Sequence, residues 1–206
     1  MPPVMSTPST IDGSTVRRPW CARPWSHWIT FGFCASHIFP TVLLDAQIVL
    51  PAIPAWIPGA AVLDRARTWA LRQYLTGPIV DPLVRAAARG ELPWFRTFLW
   101  AELVFQLPVF VVACYHLWHD RVHSIRDLLV VYGAHTATSM VPVLTYLATV
   151  AGITTAQRGA LIAMYAPYLA VPMQIVFWFG FRWHREVQTK RAYIAATEDD
   201  EAKKRS

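Results

Sequence analysis

Four long runs of apolar residues, separated by polar stretches, dominate the hydropathy pattern of this 206-residue chain. The runs are 22 to 25 residues long and cover 27–50, 94–118, 128–150 and 160–181. A helix needs about 20 residues to cross the hydrocarbon core of a bilayer. None of the runs shows the regular polar stripe that a helix of a soluble bundle keeps toward water. The pattern therefore predicts four transmembrane helices.

The predicted fold is all-α, a polytopic membrane protein built as a four-transmembrane-helix bundle. The bundle covers 27–182, preceded by a flexible segment 1–26 and followed by a basic tail 183–206. The composition agrees, because 54% of the residues are hydrophobic, only 16% are charged and the mean hydropathy is +0.30. Residues 1–26 are rich in Pro, Ser and Thr and do not resemble a secretory signal peptide, so we expect the first span to act as an uncleaved anchor.

The distribution of positive charge predicts the orientation. Four spans place both termini on one side of the membrane, together with the short segment 119–127. These three regions carry twelve of the nineteen Lys and Arg residues. Cytosolic flanks of membrane helices are enriched in Lys and Arg, so we expect both termini in the cytosol. This distribution explains the net charge of +6 without a nucleic-acid partner.

The C-terminal tail offers a second indication of location. It ends in Lys203, Lys204, Arg205 and Ser206, which resembles the dilysine signal that returns membrane proteins to the endoplasmic reticulum. A basic tail also binds anionic lipid headgroups without any receptor. Both interpretations require a cytosolic C-terminus, and the sequence favours neither.

Each predicted span contains proline. These residues are Pro40, Pro108, Pro142 and, in the fourth span, Pro167 with Pro172. Proline removes a helical hydrogen bond and bends the helix. Carbonyl groups freed in this way are tolerated in a membrane only where protein or a cavity satisfies them. The pattern predicts proline-kinked helices around an internal pocket.

Two carboxyl groups stand out inside the spans. Asp45 lies late in the first span and Glu102 early in the second, so the hairpin brings both to the same depth. A charged side chain at the centre of a membrane helix costs roughly 2.5–3.5 kcal/mol, so such residues face the interior and usually have a function. Two acids at one depth can share a proton or face one cation together.

Other polar residues extend the predicted site. Gln106 follows Glu102 by four residues and shares its helix face. The third and fourth spans contribute His135, Thr136, Tyr165 and Tyr168. Three further residues are predicted to make hydrogen bonds between helices and not to contact a ligand: His37, Thr138 and Ser139.

The segment between the first two spans is predicted to contain an amphipathic helix over 60–75 that lies on the membrane. Its arginines, Arg65, Arg67 and Arg72, are expected to face water. After it, Asp81 either caps a helix that begins at Pro82 or reaches Asp45.

Signals for metal or cofactor chemistry are weak. The three cysteines, Cys21, Cys34 and Cys114, lack the spacing of a zinc site or a disulfide framework. The chain has no glycine-rich phosphate loop and no nucleophile elbow. We therefore predict neither a metal nor a cofactor.

Five sequence blocks carry a resemblance to a known family. They are SHIFPTVLLDAQIVLP at 36–51, DPLV at 81–84, PWFRTFLWAELVFQLPVF at 93–110, VYGAHTATSMVPVL at 131–144 and YAPYLAVP at 165–172. In order and spacing the chain resembles the EXPERA-domain family, most closely its sigma-2 receptor branch and more distantly the emopamil-binding sterol isomerases.

The resemblance implies an endoplasmic reticulum protein, often dimeric, that binds sterols or hydrophobic amines and participates in lipid handling. By position, Asp45 would pair with a ligand amine, Asp81 would orient it and Glu102 would be the second buried acid. Gln106, His135, Tyr165 and Tyr168 would line or support the cavity. The expected partner is therefore a membrane lipid or a sterol-like small molecule.

Three alternatives stay open. The isomerase branch protonates and deprotonates a sterol, so Glu102 or Asp45 would serve as the proton donor of a cofactor-independent isomerase or cyclase. Relatives in simpler eukaryotes resemble endoplasmic reticulum factors that pass precursor proteins to mitochondria. In a third alternative the bundle is a scaffold, and the loop or the tail is the working surface.

Overall fold

The computed structural model describes residues 19–50, 53, 56–76 and 80–182. The described residues form helices and connecting turns, without any strand. Six helices follow one another: α1 (Trp25–Val49), α2 (Ala60–Thr76), α3 (Pro82–Ala88), α4 (Pro93–Trp118), α5 (Val122–Thr149) and α6 (Thr155–Arg182). The predicted N-terminal segment up to residue 18 and the tail with Lys203 and Lys204 lie outside the described residues.

Four of these helices, α1, α4, α5 and α6, are long and apolar enough to cross a membrane. The predicted all-α, four-span architecture is confirmed. Helix α6 begins before its predicted apolar run because a polar residue caps its N-terminus. Thr154 shows this before α6, where its hydroxyl accepts from the Gln157 backbone N–H at 3.2 Å and the Gln157 side chain accepts from the Thr154 N–H at 2.9 Å.

The antiparallel spans give the bundle two ends. We call the end at Trp25, Trp118 and Val122 the terminus side, because α1 begins there and α6 ends there. The opposite end, where α2 and α3 connect α1 to α4, is the loop side.

Proline shapes three of the four spans through π-helical turns. The π segment Thr41–Asp45 follows Pro40, Glu102–Gln106 precedes Pro108, and Val176–Arg182 follows Pro172. Proline has no N–H for the carbonyl four residues earlier, so the neighbouring turn widens to another hydrogen-bond pattern. In α4 the Leu107 N–H accordingly bonds to the Glu102 carbonyl. Helix α5 differs, since it stays α-helical through Pro142.

The spans pack as two hairpin-like pairs, α1 with α4 and α5 with α6. The second pair approaches most closely at Gly133. A Cβ atom at this position would lie 2.8 Å from the Pro172 carbonyl oxygen and 2.9 Å from Val176 Cγ2. Glycine therefore allows the backbones of α5 and α6 to touch, as small residues do between membrane helices.

Three arginines cap the C-terminal ends of spans to which they do not belong. Arg23 Nη1 donates to the Leu117 carbonyl of α4 at 2.6 Å. Arg158 donates to the Leu147 and Val150 carbonyls at the end of α5, at 2.7 and 2.8 Å. Arg126 Nε donates to the Phe179 carbonyl of α6 at 2.7 Å. The last carbonyls of a helix have no partner within it, and a cation there also complements the helix dipole.

Helix α2 packs one face against the π segment of α1. Arg67 faces this contact and is 5% exposed. Its backbone carbonyl accepts from Gln47 Nε2 at 2.8 Å. The prediction that Arg67 faces water is wrong, because Arg67 shares the inner face of α2 with Ala60 and Tyr74. Arg65 and Arg72 are exposed as predicted.

We expect Gly133→Ala to destabilise the protein by about 1–3 kcal/mol, the usual cost of overpacking a tight contact. The measurement is thermal or denaturant unfolding in detergent micelles. Gly159→Ala in α6 is the matched control, because a Cβ there meets nothing within 4 Å. Equal stability of the two variants would show that α5 and α6 do not touch at Gly133.

Candidate functional site

A pocket lies between the spans toward the loop side. About 850 Å³ of space lies between its walls, a volume that includes the open mouth. Its wall is largely apolar and aromatic, with residues such as Leu44, Val84, Phe95, Phe98, Leu99, Met140 and Val143. Polar side chains enter it from α1, α2, α4, α5 and α6.

Asp45 and Glu102 form the polar centre of the pocket. Asp45 is the last residue of the π segment in α1, and Glu102 is the first residue of the π segment in α4. The two π segments are in contact, and the carboxyl groups are hydrogen-bonded to each other. A hydrogen bond between two carboxyl groups requires a proton on one of them. A carboxyl pair that shares one proton carries a single negative charge.

Thr41 holds Glu102 from the α1 side. Its Oγ1 donates to Glu102 Oε1 at 2.6 Å and also lies 2.9 Å from the His37 carbonyl oxygen. Thr41 is fully buried. The hydroxyl has one hydrogen to donate, so it serves one of these two oxygens at a time.

Asp81 has a structural role beside the pocket. Its Oδ1 accepts from the Leu83 and Val84 backbone N–H groups at 2.8 and 3.2 Å, which caps α3. Its Oδ2 accepts from Tyr165 Oη at 2.6 Å. Of the two alternatives left open by the sequence, the structure shows the cap. Three protein donors thus occupy the carboxyl oxygens.

Burial affects the two titratable groups of the loop side that adjoin the pocket. It raises the pKa of the Asp81 carboxyl above its ordinary value, although the bonds from Tyr165, Val84 and Leu83 oppose this shift. Burial also raises the pKa of Tyr74, and the nearby carboxyl groups of Asp45 and Asp81 add to this effect. Tyr74 is the residue of α2 that lines the pocket.

Gln106 lies one turn beyond Glu102 on the same wall. Its Oε1 accepts from Thr136 Oγ1 of α5 at 3.2 Å, and both residues line the pocket. This bond leaves the amide nitrogen of Gln106 as a donor beside the carboxyl pair.

Tyr165 and Tyr168 form the wall from α6. Tyr168 packs edge-on against the His37 ring at 4.4 Å, and its ring lies 6.0 Å from that of Tyr165. His37 therefore lines the pocket, although the sequence analysis assigned it to contacts between helices. Ser139, assigned to the same class, lines the pocket as well, while Thr138 is exposed.

His135, like Asp81, is a predicted site residue that does not line the pocket. Its ring packs against Phe105 at 5.4 Å. The pocket-facing residues of α5 are Thr136, Ser139, Met140 and Val143, which follow the three- and four-residue spacing of one helix face. His135 precedes that face by one residue and points about 100° away from it.

Thr41 and Tyr74 belong to the site without having been predicted as part of it, whereas Thr136 was among the polar residues expected to extend it. Thr41 shares a helix face with Asp45, four residues later, and that spacing was available in the sequence. Tyr74 reaches the pocket only through the packing of α2, for which the sequence has no signal. In the part of the chain that the structure describes, no group of three His, Cys, Asp or Glu residues could hold a metal ion.

Comparison with known proteins identifies the family. Residues 67–179, more than half of the chain, match the model of a family described as EXPERA (EXPanded EBP superfamily). The chain is also 33% identical to Sigma intracellular receptor 2 of Xenopus tropicalis over 181 residues, which is 83% of this chain and 98% of the relative. The human protein of that name is 32% identical over 157 residues, 70% of this chain and 81% of the relative.

The matched family region contains the cap at Asp81, the acid Glu102 and nearly all of α5 and α6. The first span and Asp45 lie before it, but the alignment to the Xenopus relative covers most of the chain. This multi-pass membrane protein belongs to the EXPERA (EXPanded EBP superfamily) family.

Proposed function

We propose that this protein binds a sterol-like molecule or a hydrophobic amine in its intramembrane pocket. The observation that carries the proposal is the hydrogen-bonded pair of Asp45 and Glu102 at the centre of an otherwise apolar and aromatic cavity. Such a cavity accommodates a molecule that is apolar over most of its length and polar at one end.

The single negative charge of the proton-sharing pair complements one ammonium group. A protonated tertiary or secondary amine would donate its N–H to Asp45, and the rings of Tyr168 and Phe98 would surround the cation. The hydroxyl group of a sterol would find an acceptor in the pair and a donor in the Gln106 amide. The apolar body of either ligand would contact Leu99, Met140 and Val143.

The comparisons support ligand binding as the general function, since both relatives carry the name Sigma intracellular receptor 2. We extend the proposal to the endoplasmic reticulum membrane with both termini in the cytosol. The Lys and Arg distribution and the final Lys203 and Lys204 support this placement. A role in sterol or lipid handling follows if the ligand comes from the membrane itself.

A second candidate function is a cofactor-independent isomerase or cyclase. The observation in its favour is that His37 lines the same pocket as Asp45 and Glu102, so three groups capable of acid or base chemistry face one cavity. In this mechanism the protonated member of the carboxyl pair would donate its proton to a double bond of the substrate, and the carboxylate or His37 would remove another proton.

The ionic role of Asp45 has a direct test. We expect Asp45→Asn to weaken binding of a radiolabelled hydrophobic amine by about 10- to 100-fold, the loss of one charge-assisted hydrogen bond. Asparagine still bonds to Glu102, so folding should be retained. Asp64→Asn on the exposed face of α2 is the matched control and should bind as the wild type does. Unchanged affinity of Asp45→Asn would reject the proposal.

The second candidate predicts turnover. Purified protein should convert a sterol with a movable double bond without added cofactor, and Glu102→Gln should abolish this conversion because an amide does not donate a proton in place of an acid. The measurement is product analysis by mass spectrometry. Stoichiometric binding of the sterol without any product, under conditions where an active sterol isomerase turns over, would contradict the isomerase hypothesis.

A further inference from the structure

The inner face of α1 carries a row of polar residues. Its members recur every three or four residues from the terminus side to the carboxyl pair: Ser26, Thr30, Cys34, His37, Thr41 and Asp45. The opposite face carries exposed apolar residues, among them Trp28, Ile29 and Phe39. We call these six positions, of which the first five are buried and Asp45 is partly buried, the polar stripe. A span that only packs against its neighbours does not need polar groups on its inner face, and those found inside membranes often mark ion or proton pathways.

Two members of the polar stripe lack the partners that buried hydroxyls normally have. Ser26 and Thr30 are fully buried, and Ser26 Oγ and Thr30 Oγ1 have no hydrogen-bond partner among the described residues. Buried polar groups are paired with protein or with ordered water. Groups four residues apart on a helix are separated by about 6 Å along its axis, a gap that one water molecule bridges.

The loop-side end of the polar stripe joins the carboxyl pair directly. Thr41 Oγ1 lies 2.9 Å from the His37 carbonyl oxygen and donates to Glu102 Oε1. On α5, Tyr132 is also fully buried one turn before the pocket residue Thr136, and its hydroxyl has no hydrogen-bond partner among the described residues. Tyr132 packs in the same buried cluster as Cys34. Polar groups of α1 and α5 thus approach the pocket from the terminus side.

The terminus-side end of the polar stripe lies at the first turn of α1. Ser26 belongs to the first turn of α1, next to Trp25, which is 56% exposed. The neighbouring His27 ring lies 5.7 Å from the Phe179 ring, whose backbone carbonyl accepts from Arg126. The Arg126 side chain is partly exposed. Ser26 therefore lies one residue from the exposed start of α1.

We propose that the polar stripe is a water-lined path for protons between the terminus-side surface and the Asp45–Glu102 pair. The path gains its use from the proposed function. A hydrophobic amine entering from lipid arrives as the neutral base, because a charged group in hydrocarbon is costly. In the pocket the amine takes the shared proton and becomes an ammonium ion. One proton from water then moves along the polar stripe and restores the proton on the pair, so that charge and protons balance.

Other titratable groups face the carboxyl pair from the loop side and from α6. They are Tyr74 of α2, Asp81 of α3, and Tyr165 and Tyr168 of α6. Asp81 and Tyr165 are bonded to each other. A loop-side route for protons would pass Tyr74, so Tyr74→Phe separates the two routes experimentally.

The test follows hydrogen exchange of the protonated carboxyl group in ligand-free protein in lipid vesicles. After transfer from H₂O to D₂O, infrared spectroscopy records the shift of its C=O band, which is assigned by its loss in Asp45→Asn or Glu102→Gln. We expect the double variant Ser26→Ala/Thr30→Val to slow this exchange by about tenfold or more, as expected for one lost water bridge. Thr30→Ser should retain the wild-type rate.

Thr138→Val is the matched control, because Thr138 is exposed on α5 away from the pocket. It should leave the exchange rate unchanged. If the double variant does not fold, the nearly isosteric Thr30→Val alone provides the test. Exchange at the wild-type rate in the folded variants, exchange slowed instead by Tyr74→Phe, or the absence of a protonated carboxyl band would overturn the proposal. The variants at Ser26 and Thr30 should keep the wild-type equilibrium affinity for the amine. This separates a failure of the proton path from a failure of the proposed function.

Discussion

The structure depends on the hydrogen bond between two carboxyl groups inside a medium that poorly solvates charge. An isolated carboxylate at the middle of a membrane helix costs several kcal/mol. Asp45 and Glu102 reduce this cost by bonding to each other. The Thr41 hydroxyl adds a further donor, 2.6 Å from Glu102 Oε1. The bond requires α1 and α4 to come together at one depth. It also places both carboxyl groups at a largely apolar cavity, where a polar group of a ligand would complement them.

Proline and arginine make this arrangement compatible with four membrane helices. The π segments beside Pro40 and Pro108 contain both acids, so the wider turns present them to one another. Capping by Arg23, Arg126 and Arg158 satisfies the helix ends that the short connections leave exposed. The third acid, Asp81, takes up its own donors by capping α3 and accepting from Tyr165. A direct contact between Asp81 and a ligand would require the carboxyl group to accept one more donor beyond these three.

Local patterns in the sequence were sufficient for the spans and for the acid pair, because apolar runs define helices and a hairpin fixes relative depth. They failed where rotation or distant contacts decide. His135 was assigned to the pocket, whereas its neighbour Thr136 occupies that face. Three other features depend on contacts between residues far apart in the chain. They are the burial of Arg67, the close packing at Gly133 and the arginine caps. Ser26 and Thr30 are visible in the sequence, but only the structure shows that their hydroxyls are buried without a protein partner.

The most direct measurement of the central claim is mass spectrometry of what the pocket holds when the protein is purified from its own membranes in mild detergent. The account predicts one amphiphile with a single polar end, bound near stoichiometrically to the wild type and depleted in the Asp45→Asn/Glu102→Gln double variant. Identical mixtures of bulk phospholipid with both proteins would contradict it, because the acid pair would then select nothing.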